Sequence, residues 1–300
     1  MGTASVNGVE IHYELTGHTD DVPLVLIAGL GAQLISWEDA FCEALVDRGF
    51  FVIRLDNRDV GMSATIDADV DPVVEILNLF SGQPATAPYL ISDMAADVFG
   101  VVDHLGVDAF HVAGRSMGGM IAQQVAINAP ERVRTLTSIM STTGEPNVGA
   151  PSADLLPSLL QLAPADREAA LDHAVEQARL ISAPALFDAT LARQLAERAW
   201  DRGRNPLGVA RQLLAILASG SRAEALATLD VPTLVFHGSL DPLIGIDGGR
   251  RTAELVPGAT FVELEGMAHD FPPNYWAAVI SGITEMASAA ADGTTAARAG

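Results

Sequence analysis

The chain has 300 residues, of which 49% are hydrophobic, which is enough for a large α/β core with a subdomain and too apolar for extended disorder. Its 17 Lys and Arg residues stand against 38 Asp and Glu residues, a formal net charge of −21. Nucleic acid phosphates and anionic membrane surfaces would repel such a chain, so we expect neither as a partner.

The cysteine content and the N-terminal sequence bear on where the protein resides. One cysteine, Cys42, leaves no internal disulfide, which suits a reducing cytoplasm. Residues 1–10 lack a basic region followed by an apolar run, so we expect no signal peptide. The apolar run 23–32 is too short to span a bilayer. The sequence therefore predicts a cytoplasmic protein without a membrane span.

From residue 9 to residue 140, short apolar runs alternate with amphipathic segments. The runs typical of strands are 9–15, 23–28, 50–55, 109–113 and 133–140, and the segments with helical spacing are 36–48, 93–105 and 117–128. Continuous apolar runs suit strands that are covered on both faces. Alternation of strand and helix predicts a mostly parallel sheet with right-handed crossovers.

The alternation stops after residue 143 and resumes near residue 224. Only helical texture lies between, at 166–180, 186–199 and 209–219, and strands then follow at 231–237 and 259–264 with helices at 249–255 and 274–287. The sequence thus predicts an α/β core at 1–143 and 224–287, a helical cap at 144–223, and a disordered, Ala-, Gly- and Thr-rich tail at 288–300.

The pentapeptide at 114–118, Gly-Arg-Ser-Met-Gly, matches the pattern Gly-x-Ser-x-Gly. In this pattern a tight turn from strand to helix holds the serine in a strained backbone conformation with its hydroxyl exposed. The small flanking residues let helix and strand pass closely. Because the predicted strand 109–113 and helix 117–128 supply this context, we predict that Ser116 is a nucleophile.

A serine nucleophile needs a base to take its proton, and the chain offers seven histidines. His269 lies in the loop after the predicted strand 259–264, and loops at the carboxyl ends of parallel strands carry the site in such sheets. The base needs a carboxylate to fix its tautomer, and Asp241, after strand 231–237, completes the chain order Ser, Asp, His. Asp270 ranks below Asp241, because a sequence neighbour usually points away from the ring nitrogen.

Two backbone N–H groups are predicted to stabilise the oxyanion of acyl transfer. Met117 follows the nucleophile at a helix N-terminus, and Leu30 lies in the Gly-Leu-Gly sequence after strand 23–28. We expect no metal, since the sequence has no His-Glu-x-x-His motif and no clustered His and Asp ligand spacing. We also expect no cofactor, because the triad and the oxyanion donors supply nucleophile, base and electrostatics.

These motifs resemble those of the α/β-hydrolase superfamily, and they cover nearly the whole chain. The segment 28–31 resembles the family's His-Gly-x-Gly oxyanion loop, with Ala28 in place of the histidine, which leaves the backbone donor intact. The segment 56–63 is similar to the family's Asp-x-Arg-x-x-Gly-x-Ser loop, in which we expect Arg58 to tie backbone together. The resemblance implies the α/β-hydrolase fold, with a mostly parallel central sheet, flanking helices and a helical cap inserted before the strand that carries the acid.

Within the superfamily, the sequences Gly-Leu-Gly-Ala-Gln, Asp-Asn-Arg-Asp-Val-Gly and Gly-Met-x-His resemble actinobacterial carboxylesterases and methylesterases of anthracycline-type polyketides. This resemblance implies a serine esterase that acts on a small-molecule ester. The Leu- and Ala-rich texture of the cap predicts a mainly apolar pocket for a hydrophobic or medium-chain ester. Arg202 and Arg204 are the cap's candidates for meeting a substrate carboxylate.

Several alternatives stay open. The same triad serves hydrolases that cleave a carbon–carbon bond in a vinylogous diketone, and thioesters and lactones are further substrates for it. A ligand receptor that keeps the fold without useful turnover is a different class, against which the intact triad argues. Epoxide hydrolases and haloalkane dehalogenases are disfavoured, because they place aspartate where this chain has Ser116.

Overall fold

The computed structural model describes residues 1–155, 158 and 161–298, with side chains described as far as residue 292. The described strands form one eight-stranded sheet. They are β1 (Gly2–Val6), β2 (Val9–Thr16), β3 (Val22–Ile27), β4 (Phe50–Leu55), β5 (Phe110–Arg115), β6 (Val133–Ile139), β7 (Thr233–Gly238) and β8 (Thr260–Leu264). Their order in the sheet is β1-β2-β4-β3-β5-β6-β7-β8. Both pairs that involve β2 are antiparallel, and the remaining pairs are parallel.

Helices connect the parallel strands. The α-helices are α1 (Asp39–Val46), α2 (Pro72–Phe80), α3 (Ile91–His104), α4 (Met117–Asn128), α5 (Arg167–Ile181), α6 (Ala189–Arg202), α7 (Pro206–Ala218), α8 (Ala223–Leu226), α9 (Ile246–Leu255) and α10 (Trp276–Arg298), and short 3₁₀ helices lie at Leu34–Ser36 and Pro273–Tyr275. Within the part of the chain that the structure describes, none of the helices combines the length and the apolar character that crossing a bilayer requires.

Both faces of the sheet are covered by apolar side chains. Val25 and Ile27 of β3 belong to one buried cluster, which includes residues of α3 and α4. Leu24 and Leu26 belong to a second cluster, which includes residues of α1 and α10. Alternate residues of one strand therefore pack on opposite layers, which is the reason for the continuous apolar runs. The predicted α/β class, with a mostly parallel sheet and flanking helices, is confirmed.

Strand β1 has no counterpart among the predicted strands. Asn7 and Gly8 connect it to β2, with φ angles of 49° and 77°. A two-residue turn with positive φ at both positions matches the twist of a hairpin, and Asn-Gly is its strongest sequence signal. The polar residues Thr3 and Ser5 interrupt the apolar pattern that would predict β1. The Asn-Gly sequence after it does indicate the turn.

Helix α2 is a second element that the sequence pattern did not predict. Asp71 caps it by accepting hydrogen bonds from the backbone N–H groups of Val73 and Val74, at 2.9 and 3.4 Å. Pro72 occupies the first turn, where a missing N–H costs nothing. Asp followed by Pro is a recognised start signal, so the local sequence explains this helix.

The last helix extends further than the apolar pattern indicates. The sequence predicts a disordered tail at 288–300, whereas α10 continues to Arg298. Alanine has the highest intrinsic helix propensity, and the tail is rich in it. Ser288 donates from its hydroxyl to the Thr284 carbonyl at 3.0 Å, so the hydroxyl finds a partner within the helix itself. Residues 299–300 lie outside the described residues.

We call residues 144–223, where the sequence predicts a cap, the inserted segment. It contains α5, α6 and α7 and joins β6 to β7. Two ion pairs with buried carboxylates tie it to the loop after β4. Arg202 Nη1 lies 3.1 Å from Asp56 Oδ2, and Arg211 donates from Nε and Nη2 to the two carboxylate oxygens of Asp59, at 2.9 and 2.7 Å. Because both carboxylates are fully buried, each needs its arginine.

Arg58 of the same loop was expected to tie backbone together, and its main partner is a side chain. Its Nε and Nη2 donate to the two carboxylate oxygens of Asp97 in α3, both at 2.7 Å. Nη2 also lies 3.4 Å from the carbonyl oxygen of Asp93. The loop after β4 is thus held to α3 on one side and to the inserted segment on the other.

Replacing Arg211 by Met leaves the Asp59 carboxylate buried without its cation. We expect the free energy of unfolding to fall by about 3 kcal/mol, as is typical when one partner of a buried pair is removed. The measurement is urea denaturation at neutral pH, and the matched control is Arg250→Met, which breaks the exposed pair with Glu263. That control should lose less than about 1 kcal/mol. Equal losses of unfolding free energy in the two variants would show that the buried pair stabilises the fold no more than the exposed pair does.

Candidate active site

Ser116 occupies the turn between β5 and α4 in a strained backbone conformation. Its φ and ψ are 56° and −122°, a region that L residues rarely adopt. Its N–H donates to the Ile139 carbonyl at 2.9 Å, and its carbonyl accepts from the Ser141 hydroxyl at 2.8 Å. Hydrogen bonds from both sides therefore hold the turn, and Ser116 stands at the carboxyl end of β5.

The two motif glycines are required by close backbone contacts. A Cβ atom at Gly114 would lie 2.0 Å from the carbonyl oxygen of Gly118, and one at Gly118 would lie 2.2 Å from that of Ile27. No side chain fits at either distance. The glycines let α4 start against the end of β3, and the turn that carries Ser116 depends on this approach.

His269 and Asp241 are joined directly. The Nδ1 atom of His269 lies 2.7 Å from Asp241 Oδ2. The other carboxylate oxygen, Oδ1, accepts from the backbone N–H groups of Leu243 and Ile244, at 2.9 and 2.8 Å. Asp241 follows β7 and His269 follows β8, two neighbouring parallel strands, so both loops emerge at one edge of the sheet. This geometry fits a proton on Nδ1, which leaves Nε2 free to accept one.

A second histidine, His237 at the end of β7, contacts the same carboxylate. Its Nε2 lies 3.3 Å from Asp241 Oδ2 and 2.8 Å from the Ile244 carbonyl oxygen. The sequence predicts only a structural role for His237, because nothing in the sequence around a histidine at the end of a strand indicates which residue it will contact. Burial acts to raise the pKa of Asp241, but His269 and His237 outweigh it and hold that pKa at about 2.

Of the two predicted oxyanion donors, Met117 follows Ser116 in the sequence, and the loop of Leu30 lies beside Ser116 in space. Met117 is the first residue of α4, and a Cβ at Gly29, next to Leu30, would lie 3.2 Å from Ser116 Cβ. Among the hydrogen bonds of the described residues, none uses the N–H of Leu30 or of Met117 as donor. Both N–H groups therefore remain available to an acceptor beside Ser116.

The loop that carries Leu30 is supported by two amide side chains. Asn57 Nδ2 donates to the Ala28 carbonyl at 3.0 Å, and Gln212 Oε1 accepts from the Gly31 N–H at 2.9 Å. Gln212, on α7, also donates to the Arg58 carbonyl at 2.7 Å. These amides support the loop although Ala28 stands where the family pattern has histidine. Gln212 was not predicted, because its contact depends on how α7 lies over the sheet.

Ser116 and His269 line one cavity of about 400 Å³ between the sheet edge and the inserted segment. Its walls are mostly apolar, and Leu30, Val209 and Leu213 are examples. Such a lining matches the predicted mainly apolar pocket. In the described part of the chain, no cluster of three or more His, Cys, Asp or Glu residues is arranged to hold a metal ion.

The two cap arginines that were candidates for a substrate carboxylate make other contacts. Arg202 Nη1 donates to Gln33 Oε1 at 2.7 Å and pairs with Asp56, and Arg204 Nη2 donates to the Ala163 carbonyl at 2.9 Å. Neither is among the described residues that line the cavity of Ser116. The arginine that lines it is Arg115, which the sequence analysis did not single out.

Comparison with known proteins gives consistent results. The family profile described as alpha/beta hydrolase fold matches residues 22–272. The rhodomycin D methylesterase DnrP of Streptomyces peucetius is 33% identical over 88% of this chain and 90% of its own length. The 2-hydroxy-6-oxononadienedioate/2-hydroxy-6-oxononatrienedioate hydrolase of a Pseudomonas species is 27% identical over 85% of this chain and 83% of its own. The solved enol-lactonase of Burkholderia xenovorans LB400 superposes with a TM-score of 0.75 at 23% identity, covering 96% of this chain and 100% of that one.

The lowered pKa of Asp241 predicts a specific acid sensitivity. Because this pKa is about 2 in the fold against an ordinary 3.8, the carboxylate stabilises the fold above about pH 4. That contribution disappears as the pH falls toward 2. Between pH 4 and 2 we expect the wild type to lose roughly 2 kcal/mol more than Asp241→Asn, measured by urea denaturation. The exposed-site control Asp20→Asn should follow the wild-type curve, and a wild-type slope in Asp241→Asn would contradict the prediction.

Proposed function

Because this chain belongs to the α/β-hydrolase fold family, we propose that it hydrolyses a carboxylic ester through an acyl-enzyme on Ser116. The observation that supports this most strongly is the 2.7 Å contact of His269 Nδ1 with Asp241, in a cavity that Ser116 also lines. The 33% identity to a methylesterase supports an ester as the substrate. We propose Ser116 as nucleophile, His269 as base and Asp241 as acid.

In the proposed reaction, His269 Nε2 takes the proton of the Ser116 hydroxyl as its oxygen attacks the ester carbonyl carbon. The carbonyl oxygen becomes an oxyanion, which accepts hydrogen bonds from the N–H groups of Leu30 and Met117. His269 then gives its proton to the leaving alcohol. Water, deprotonated by the same imidazole, attacks the acyl-enzyme. The imidazolium returns this proton to the Ser116 oxygen as the acid leaves. Throughout, the Asp241 carboxylate keeps Nδ1 protonated and stabilises the imidazolium.

The proposed substrate is a small-molecule ester, and nucleic acid is not among the proposed partners of this acidic chain. A cavity of about 400 Å³ with mostly apolar walls supports an acyl group of small or medium size. We propose that the inserted segment serves as a cap, because Val209 and Leu213 of α7 form part of the cavity wall. A chain with one buried cysteine suits the cytoplasm that we propose as its location.

A second candidate is hydrolysis of a carbon–carbon bond by the same residues. The 27% identity to a dienedioate hydrolase favours keeping it. A ring-fission product of a catechol and a simple methyl ester, assayed side by side, distinguish the two activities. Turnover of the dienoate alone would replace the esterase proposal with this one.

Ser116→Ala should abolish turnover of p-nitrophenyl acetate, with kcat reduced by roughly 10⁴-fold or more, since the nucleophile is lost. A fluorophosphonate probe with intact-mass readout should add one adduct to the wild type and none to the variant. Ser5→Ala, an exposed serine on β1, is the control and should label as the wild type does. Labelling of Ser116→Ala, or an inert wild type, would contradict the assignment.

The identity of the acid is tested by a pair of matched variants. Asp241→Asn removes the charge that faces His269 Nδ1, so we expect kcat to fall by about 10⁴-fold, the cost of losing the correct tautomer in such triads. Asp270→Asn should lower kcat by less than about tenfold, because His269 Nδ1 bonds to Asp241 instead. Initial rates with p-nitrophenyl acetate measure both variants. A larger loss in Asp270→Asn would make Asp270 the acid.

A further inference from the structure

Arg115 is a charged residue in the candidate site for which the proposed reaction has no use. It precedes Ser116 at the end of β5, is half-buried, and lines the same cavity of about 400 Å³. The close backbone contacts explain the glycines at 114 and 118 but not the arginine between them. The turn that holds Ser116 therefore does not explain why a charged side chain stands at this position.

The guanidinium is held in place by neutral groups. Nη2 donates to the Ser36 carbonyl at 2.8 Å and to the Ser36 hydroxyl at 3.0 Å. The guanidinium carbon lies 4.2 Å from the ring centre of Trp37 and 5.0 Å from that of Phe271. The Nε donor is buried without a hydrogen-bond partner among the described residues. These contacts orient the cation but leave donor capacity unused.

The buried arginines of the described chain differ from Arg115. Arg54, Arg58 and Arg211 pair with carboxylates at 4.0 Å or less, and so does the partly buried Arg202. Arg222 is held by the neutral oxygens of Gln123 and Thr142 and is not among the residues that line the cavity. Arg115 has no carboxylate within 4.0 Å among the described residues, although the chain has 38 Asp and Glu residues. Glu38 acts on it only from beyond that distance, so Arg115 lines the cavity without an ion-pair partner.

Arg115 stays positively charged in this environment. Burial lowers the pKa of Arg115 to about 10, so the group remains a cation at neutral pH. Asp270 lines the same cavity and does not pair with it, and burial raises the pKa of Asp270. An unpaired cation in a mostly apolar cavity is unfavourable, and an anion brought by a ligand would relieve this cost.

We propose that Arg115 binds a free carboxylate of the substrate, so that the esters hydrolysed here are half-esters that also carry a carboxylate near the scissile bond. This rests on the proposed ester hydrolysis at Ser116. Arginine is suited to the task because its planar group offers paired N–H donors that match the two carboxylate oxygens. The Trp37 and Phe271 rings lie against the guanidinium and limit its movement, and a carboxylate bound by Arg115 would lie in the cavity that Ser116 also lines.

The test compares monomethyl and dimethyl esters of aliphatic dicarboxylic acids from four to eight carbons. The readout is the ratio of kcat/KM for the half-ester to that for the diester, in which general effects on catalysis cancel. In Arg115→Met, whose side chain fills the slot between the rings, the ratio should fall by about 10- to 100-fold, mainly through KM of the half-ester. Arg115→Lys, which keeps the charge but loses the paired N–H donors, should lower the ratio less than Arg115→Met does. Arg48→Gln, an exposed arginine outside this cavity, removes the same charge and should leave the ratio as it is.

A binding measurement separates this proposal from the proposed function. Calorimetry with a medium-chain carboxylate and its primary amide needs no turnover. The wild type should bind the carboxylate at least tenfold more tightly, and Arg115→Met should lose that preference. Equal binding of the two compounds by the wild type, or an unchanged ratio of rates in Arg115→Met, would overturn the role of Arg115 while ester hydrolysis stands. An inert, unlabelled Ser116 with carboxylate binding intact would overturn the proposed function alone.

Discussion

Close contact between backbone segments is the constraint on which the site depends. At Gly118 the start of α4 lies against the end of β3, and at Gly238 the end of β7 lies against the loop that leads to His269. A Cβ at Gly238 would stand 2.2 Å from the Met267 carbonyl oxygen, the same separation as at Gly118 from the Ile27 carbonyl oxygen. The first contact sets the turn of Ser116, and the second brings the loops of Asp241 and His269 together. Neither contact tolerates a side chain, so the positions of the three chemical groups follow from backbone packing.

Polar groups then connect this edge of the sheet to the inserted segment. Gln212 of α7 bonds both to the loop of Leu30 and to the Arg58 carbonyl, and the His269 N–H donates to the Ile181 carbonyl at 2.9 Å. Arg211 and Asp59 add a buried ion pair to the same contact. A shift of the inserted segment would therefore disturb the loop of Leu30 and the loop of His269 together. These contacts join the cavity wall to both loops.

The parts of this molecule that sequence analysis predicted are those with a local physical signature. Apolar runs mark β3 to β7 because these strands are buried on both faces, and the glycine spacing around Ser116 marks a turn that only glycine permits. Strand β1 and helix α2 were missed although local signals mark them, whereas the contacts missed around the cavity depend on three-dimensional placement. Arg202 and Arg115 have the same side chain, yet one pairs with Asp56 and the other lines the cavity. No pattern along the chain separates these two surroundings, since the partner of Arg202 lies 146 positions away.

The acidity of the whole protein and the Arg115 cation in the cavity act over different distances. A net charge of −21 repels an anionic substrate at long range, but ions at physiological strength screen exposed charges beyond about 8 Å. Inside a mostly apolar cavity the screening is weaker, so one guanidinium there contributes more to binding than many carboxylates on the surface. An acidic surface and a carboxylate-bearing substrate are thus compatible. The long-range field lowers the rate of encounter, whereas the contact with Arg115 sets the affinity once the substrate is inside.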